Sequence, residues 1–196
     1  MPQRVRMFLE GLARQPEDAI SIVATTERGD AHVADAHRAA RARHKRASKC
    51  RSRASAGTGD IAGSADQIRQ FIEREIERGI ESENILLAGF SQGGVVALQT
   101  GIRFGQRLAG ILALSTYLHD FSSTERELND ANLAIPIMMA HGTADPMISI
   151  MRAATSRENL VRLGFDVRWF DYPMGHQVCL EEVEEIAQFF AELLPR

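Results

Sequence analysis

The run Ile85-Leu86-Leu87-Ala88-Gly89-Phe90-Ser91-Gln92-Gly93-Gly94 constrains the fold of this chain more than any other segment. An apolar, strand-like stretch enters Gly-x-Ser-x-Gly, and a helix-like stretch over residues 94–104 leaves it. Strand, tight turn and helix in that order are the setting of a nucleophile elbow. The serine of such an elbow sits on a turn too sharp for β-carbons beside it in space, and glycine supplies the room and tolerates the strained backbone. The turn would lift the Ser91 hydroxyl clear of the sheet, at the amino end of a helix whose dipole favours developing negative charge. Gly-x-Ser-x-Gly alone is a weak signal. The strand before it and the helix after it give it weight.

A serine nucleophile needs a base, and the base needs an orienting carboxylate. In sheets of this kind the three follow the chain order Ser, Asp, His, each beyond the carboxyl end of a strand. Residues 135–140 form a second buried-strand candidate that runs into His141-Gly142-Thr143-Ala144-Asp145-Pro146. Asp145 therefore falls on a loop just past a strand, with Pro146 fixing the backbone before the next helix. Residues 166–172 read as another strand and run into Pro173-Met174-Gly175-His176. An Asp before Pro is ordinarily a turn former, and a His after Gly ordinarily a loop or cap residue. Three candidates in the right order, each after a strand-like run, single out Ser91, Asp145 and His176 as a triad.

Four ordered segments carry a family resemblance: Ala88 to Gly94, Ala113-Leu114-Ser115-Thr116-Tyr117, His141 to Pro146, and Tyr172-Pro173-Met174-Gly175-His176. They resemble the successive signatures of the carboxylesterase/acyl-protein thioesterase (phospholipase/carboxylesterase) family of serine α/β-hydrolases, from Ile61 to the C-terminus. The resemblance implies an α/β-hydrolase three-layer sandwich with a mostly parallel sheet. It also implies an enzyme acting on short-chain esters, lysophospholipids or acyl thioesters, with no cofactor and no metal. By resemblance Ser91 is the nucleophile, His176 the base and Asp145 its orienter. The Gln92 N–H, following the nucleophile, is one oxyanion donor, and Thr116 and Leu118 line the acyl pocket. A small-molecule ester or thioester is the expected partner, and relatives of this kind often pair as homodimers.

The upstream part of the chain departs from that pattern. The family's second oxyanion donor comes from a His-Gly-x-Gly-type loop after an early strand, and no such segment precedes Ser91. Between Ala34 and Asp60 there is no Val, Ile, Leu, Met, Phe, Trp or Tyr, so this stretch has no large apolar group to bury. Only residues 6–12 and 19–24 offer weak apolar runs, the latter as one strand. The same stretch holds both lysines, Lys45 and Lys49, and six arginines, with no acidic residue between Asp35 and Asp60. A nucleic-acid or anionic-membrane patch is one reading, but no aromatic residue is interleaved for stacking. A solvated, disordered linker is a second. The preferred reading is a shifted reading frame or a rearranged gene product, because hydrophobic periodicity is absent before Ile61 and regular after it. The expected organisation is an atypical segment over 1–60 and the α/β-hydrolase core over 61–196, so that the sheet's N-terminal part is incomplete or irregular. The alternative to an active enzyme is an impaired remnant lacking the upstream oxyanion loop.

Composition agrees with one domain. A chain of 196 residues with 44% apolar content can bury a core, and the net charge of −3 averages the basic stretch with an acidic remainder. That remainder argues against nucleic acid as the substrate. Cys50 and Cys179 suggest no disulfide framework, and one His with one Cys three positions on makes no zinc site. No apolar run has transmembrane length and no signal-peptide core is evident, so stable membrane insertion is not expected and the cytoplasm is the default.

Past Ile61 strands and helices alternate. Ser64-Ala65-Asp66-Gln67 resembles a capping box ahead of Ile68, Phe71, Ile72 and Ile76 at helical spacing. Residues 85–90 read as a strand, 95–104 as a helix, 110–117 as a strand and 120–132 as a polar loop. Further helices are expected over 148–163 and 180–194, the last with Val183, Ile186, Ala187, Phe190 and Leu193 on one face. Such alternation indicates parallel strands with helical crossovers.

Overall fold

The structure, a computed structural model, describes residues 20–25, 31–35 and 61–194. The basic stretch of residues 36–60 and the weak run at 6–12, on which the sequence readings of the N-terminal part turn, lie outside the described residues. Strands β1 (Ile20–Thr25), β2 (Ala31–Asp35), β3 (Ile85–Phe90), β4 (Gly110–Leu114), β5 (Pro136–Gly142) and β6 (Asp166–Tyr172) form one sheet in the order β2-β1-β3-β4-β5-β6. The four strands from β3 to β6 are parallel, in register Leu86↔Gly110, Ile111↔Ile137 and Pro136↔Asp166. Strand β1 is antiparallel to β3, with Ser21 opposite Ala88, and β2 is antiparallel to β1. β1 lies where a single upstream strand is expected; β2 was not anticipated.

Helices α1 (Ile61–Glu77), α2 (Gln92–Gly101), α3 (Phe121–Glu127) and α4 (Ile150–Arg162) lie in the connections between strands, and α5 (Leu180–Leu193) follows the last strand and packs on the sheet. Alternation along each strand divides the core in two, because successive side chains point to opposite faces. Ile85, Leu87, Ile111, Ala113, Ile137 and Met139 pack with Ile68 and Ile72 of α1, Val95 and Leu98 of α2, and Leu160 of α4. Leu86, Ala88, Phe90, Leu112, Leu114, Met138 and Ala140 pack with Ile186, Phe189 and Phe190 of α5. All six residues of β3 are buried, which is why that strand reads as an unbroken apolar run rather than an alternating one. Each fully buried Leu or Ile in these clusters contributes roughly 1.5–3 kcal/mol relative to exposure.

Several boundaries differ from the sequence reading for local reasons. Helix α1 begins at Ile61, so Ser64 sits inside it rather than at its cap. The polar stretch after β4 contains α3, capped by Asp120, whose carboxylate accepts the Ser123 N–H at 3.2 Å. Only Thr124 of that helix is buried, so it carries no apolar stripe to betray it. Strand β4 stops at Leu114, because Ser115 turns to a left-handed φ of 46°. Helix α4 starts at Ile150 with Ser149 as its cap, two residues later than the apolar periodicity suggests. No helix among the described residues is long and apolar enough to cross a membrane.

Candidate active site

The parallel strands present their carboxyl ends to one edge, where open α/β sheets place ligands. At that edge β3 runs into Ser91, which has φ 54° and ψ −124°, and α2 starts at the next residue. The turn is possible only because Gly89 has no side chain: a Cβ there would fall onto the carbonyl of Gly93. Holding a non-glycine residue at this φ costs on the order of 1–3 kcal/mol and persists only when the surroundings impose it. Those surroundings are identifiable. The Ser91 N–H donates to the Leu114 carbonyl at 2.9 Å, extending the ladder to β4. The Thr116 hydroxyl donates to the Ser91 carbonyl at 2.7 Å. Among the described residues no backbone carbonyl takes the Gln92 N–H, which lies at the first position of α2.

Asp145 and His176 come together although 31 positions separate them: the His176 Nδ1–H donates to Asp145 Oδ2 at 2.7 Å. The Asp145 side chain is fully buried (0% exposed) and that of His176 is 13% exposed. The other carboxylate oxygen, Oδ1, accepts the Met147 N–H at 2.7 Å and the Ile148 N–H at 3.0 Å. Burial pushes the Asp145 carboxyl up, but the hydrogen bonds from His176, Ile148 and Met147 outweigh it and hold the group below its ordinary value. Asp145 is therefore an anion with three donors. The bond at Nδ1 fixes the tautomer of His176 and leaves Nε2 as the free basic nitrogen. The His176 ring lies against Phe90, centroids 4.8 Å apart, and Phe90 immediately precedes Ser91. No hydrogen bond joins Ser91 to His176; the imidazole contacts the residue that precedes the serine.

The Asp and His loops are sewn together by their backbones. The Thr143 N–H donates to the Tyr172 carbonyl at 2.8 Å and the Ala144 N–H to the Met174 carbonyl at 3.0 Å. Gly142 permits this, because a Cβ on it would run into the carbonyls of Met174 and Gly175. Thr116 and Leu118, expected at the acyl pocket, are 1% and 9% exposed. The Thr116 hydroxyl is engaged by Ser91 and its side chain lies behind the elbow, where a Cβ on Gly94 would come within 2.7 Å of it. The Leu118 N–H is held by Ser156 Oγ at 2.9 Å. Cys179 is the N-cap residue of α5.

Sequence reasoning missed two buried groups beside these loops. His141, near the end of β5, is 1% exposed and turns its Nε2 toward both the Ile148 carbonyl (2.9 Å) and Asp145 Oδ2 (3.4 Å). Its place in the His-Gly pair before Asp145 was the available signal. Glu182, in the first turn of α5, is fully buried, and neither carboxylate oxygen completes a hydrogen bond. Burial pushes its carboxyl up to about 7, against an opposing pull from the Cys179 backbone. An acidic residue in a helix's first turn gives no sign of this, because such residues are usually solvated.

The edge therefore carries a strained serine at a helix start, preceded by a phenyl ring against an imidazole that is paired with a buried carboxylate, on a sheet of α/β-hydrolase type. The profile of the phospholipase/carboxylesterase family matches residues 49–194, and the chain belongs to that family. It is 40% identical over 140 residues to acyl-protein thioesterase 1 of Neurospora crassa, covering 69% of this chain and 57% of that protein. To acyl-protein thioesterase 1 of Gibberella zeae it is 41% identical over 142 residues, covering 70% of this chain and 60% of that protein. The chain thus spans less than two thirds of the length of the curated relatives it matches. The crystal structure of Arabidopsis thaliana SOBER1 superposes with a TM-score of 0.67 at 23% identity, covering 72% of this chain and 68% of that one, a likeness of fold.

Proposed function

We propose that this protein is a serine hydrolase that cleaves carboxylic esters or acyl thioesters through an acyl-enzyme on Ser91. The observation that carries the reading is the 2.7 Å bond from His176 Nδ1–H to buried Asp145, with the imidazole tilted against Phe90, the residue before the elbow serine. His176 Nε2 takes the proton of the Ser91 hydroxyl as Oγ attacks the carbonyl carbon. The tetrahedral oxyanion is received by the Gln92 N–H at the start of α2. The imidazolium, stabilised by anionic Asp145, returns its proton to the departing alcohol or thiol. Water then enters and loses a proton to the same nitrogen as its oxygen attacks the acyl carbon. The bond from that carbon to Ser91 Oγ breaks, Oγ takes the proton back from His176, and the acid leaves. Leu118 contributes apolar surface to the acyl side, and Thr116 acts through the elbow backbone it holds. Met147 and Met151, 74% and 71% exposed, place further apolar surface next to the Asp145 loop, as an acyl substrate would require.

The test is turnover of p-nitrophenyl acetate and butyrate by the purified chain. Hydrolysis that disappears in Ser91→Ala, with the circular dichroism spectrum unchanged, supports the reading. A folded wild-type chain with no turnover of either ester or of a short acyl thioester would point instead to an impaired remnant without a second oxyanion donor. The absence of a His-Gly-x-Gly segment before Ser91 favours that second reading.

A further inference from the structure

We infer that His141 is a positioning residue: its Nε2–H locks the 141–148 loop in the conformation that turns the Asp145 carboxylate to His176. The inference rests on the reading of Ser91, His176 and Asp145 just given, and its test includes a measurement that needs no substrate. His141 stands at the end of β5, directly before the loop that carries Asp145. Its Nε2 is 2.9 Å from the Ile148 carbonyl oxygen. A carbonyl can only accept, so the proton sits on Nε2 and the tautomer follows.

The Ile148 residue is thereby gripped at both ends. Its N–H donates to Asp145 Oδ1 at 3.0 Å, and its C=O accepts from His141. The Asp145 N–H closes the turn by donating to the Gly142 carbonyl at 3.2 Å. The same Nε2 lies 3.4 Å from Asp145 Oδ2, the oxygen that receives His176. That separation is long for a hydrogen bond, yet an N–H dipole so near a buried anion still favours the anion in a medium of low dielectric. Two imidazoles thus converge on one carboxylate oxygen. One faces the elbow, and the other ties the carboxylate to its own loop. Space-filling alone would need no donor at Nε2; an apolar residue of the same volume would leave the Ile148 carbonyl without its partner.

Two substitutions separate the donor from the bulk. His141→Leu removes the N–H. His141→Gln keeps an N–H donor at a similar reach from the backbone. In the resting protein, proton NMR reads the far-downfield resonance of the His176 Nδ1–H bonded to Asp145. That resonance should be sharp in wild type, persist in His141→Gln, and be lost or broadened in His141→Leu. With p-nitrophenyl butyrate, His141→Leu should lower kcat about tenfold or more with KM nearly unchanged, and His141→Gln should recover most of it. If His141→Leu does not fold, His141→Asn, whose amide falls short of Ile148, replaces it under the same criteria. The inference is overturned if the folded Leu or Asn variant keeps both resonance and kcat, or if His141→Gln fails as they do. Should wild type prove inactive, the resonance alone decides, so failure of the hydrolase reading and failure of this one remain distinct.

Discussion

Strands β3 and β4 lie side by side and each ends in a serine with a left-handed backbone, Ser91 at φ 54° and Ser115 at φ 46°. Each serine N–H continues the parallel ladder to the next strand, Ser91 to Leu114 and Ser115 to Ala140. Beyond that point they diverge. Ser91 is partly exposed, opens helix α2 and directly follows Phe90, whose ring meets that of His176 at a tilt. Ser115 is fully buried, its hydroxyl has no hydrogen-bond partner, and an irregular loop follows it. Backbone strain at the carboxyl edge is therefore common to a partly exposed serine and a fully buried one. Access, a helix start and an imidazole against the preceding residue distinguish Ser91 from Ser115.

Substitutions can break this contrast, beginning with the largest effect. Ser91→Ala should lower ester turnover by ~10³-fold or more, whereas Ser115→Ala should leave it within about twofold, both read as kcat/KM on p-nitrophenyl butyrate. Equal losses at the two positions would erase the distinction. Asp145→Asn should cost ~10²–10⁴-fold in kcat, because the orienting charge is lost while the loop's backbone bonds can persist. Thermal melts at several pH values extend the contrast to Glu182, a second buried group without a hydrogen-bond partner. Its folded pKa of about 7 is raised above the ordinary 4.5, so its contribution is intact below about 4.5 and is lost as pH rises through about 7. Glu182→Gln should therefore stabilise the protein at pH 8 by up to about 3 kcal/mol and gain little at pH 4. Thr116→Val removes the hydroxyl that holds the Ser91 carbonyl. It should lower kcat several-fold and stability by about 1 kcal/mol. At the small end, Ser115→Ala should change stability by less than about 1–2 kcal/mol and in the favourable direction, since it deletes a buried hydroxyl with nothing to bond.

The elbow and the last strand were legible because their local signals agree. Ile85–Phe90 is apolar throughout and ends in Gly-x-Ser-x-Gly, and Asp166–Tyr172 occupies the expected span. Helix α5 buries Ile186 and Phe190 on the side its spacing indicates, with Phe189 added. Helix α3 was not legible, because a seven-residue helix made of Ser, Thr, Glu and Arg after its first Phe carries no core-facing period. Strand β2 was hidden for a similar reason, being only Ala-His-Val-Ala-Asp. At the site, the pairing of His176 with Asp145 could be read from the motifs that carry them. The bond from His141 to Ile148 could not, because it depends on the loop folding back on its own strand. The same holds for the engagement of Thr116, whose hydroxyl meets a carbonyl 25 positions away.

The most direct test of the account is the covalent step. The chain is treated with an alkyl fluorophosphonate, which phosphonylates an activated serine with loss of fluoride, then digested and sequenced by mass spectrometry. A single stoichiometric adduct is expected on the peptide carrying Ser91, abolished in Ser91→Ala and strongly slowed in His176→Ala, with Ser115 unlabelled. Labelling elsewhere, or labelling of Ser91 that proceeds equally fast without His176, would contradict it.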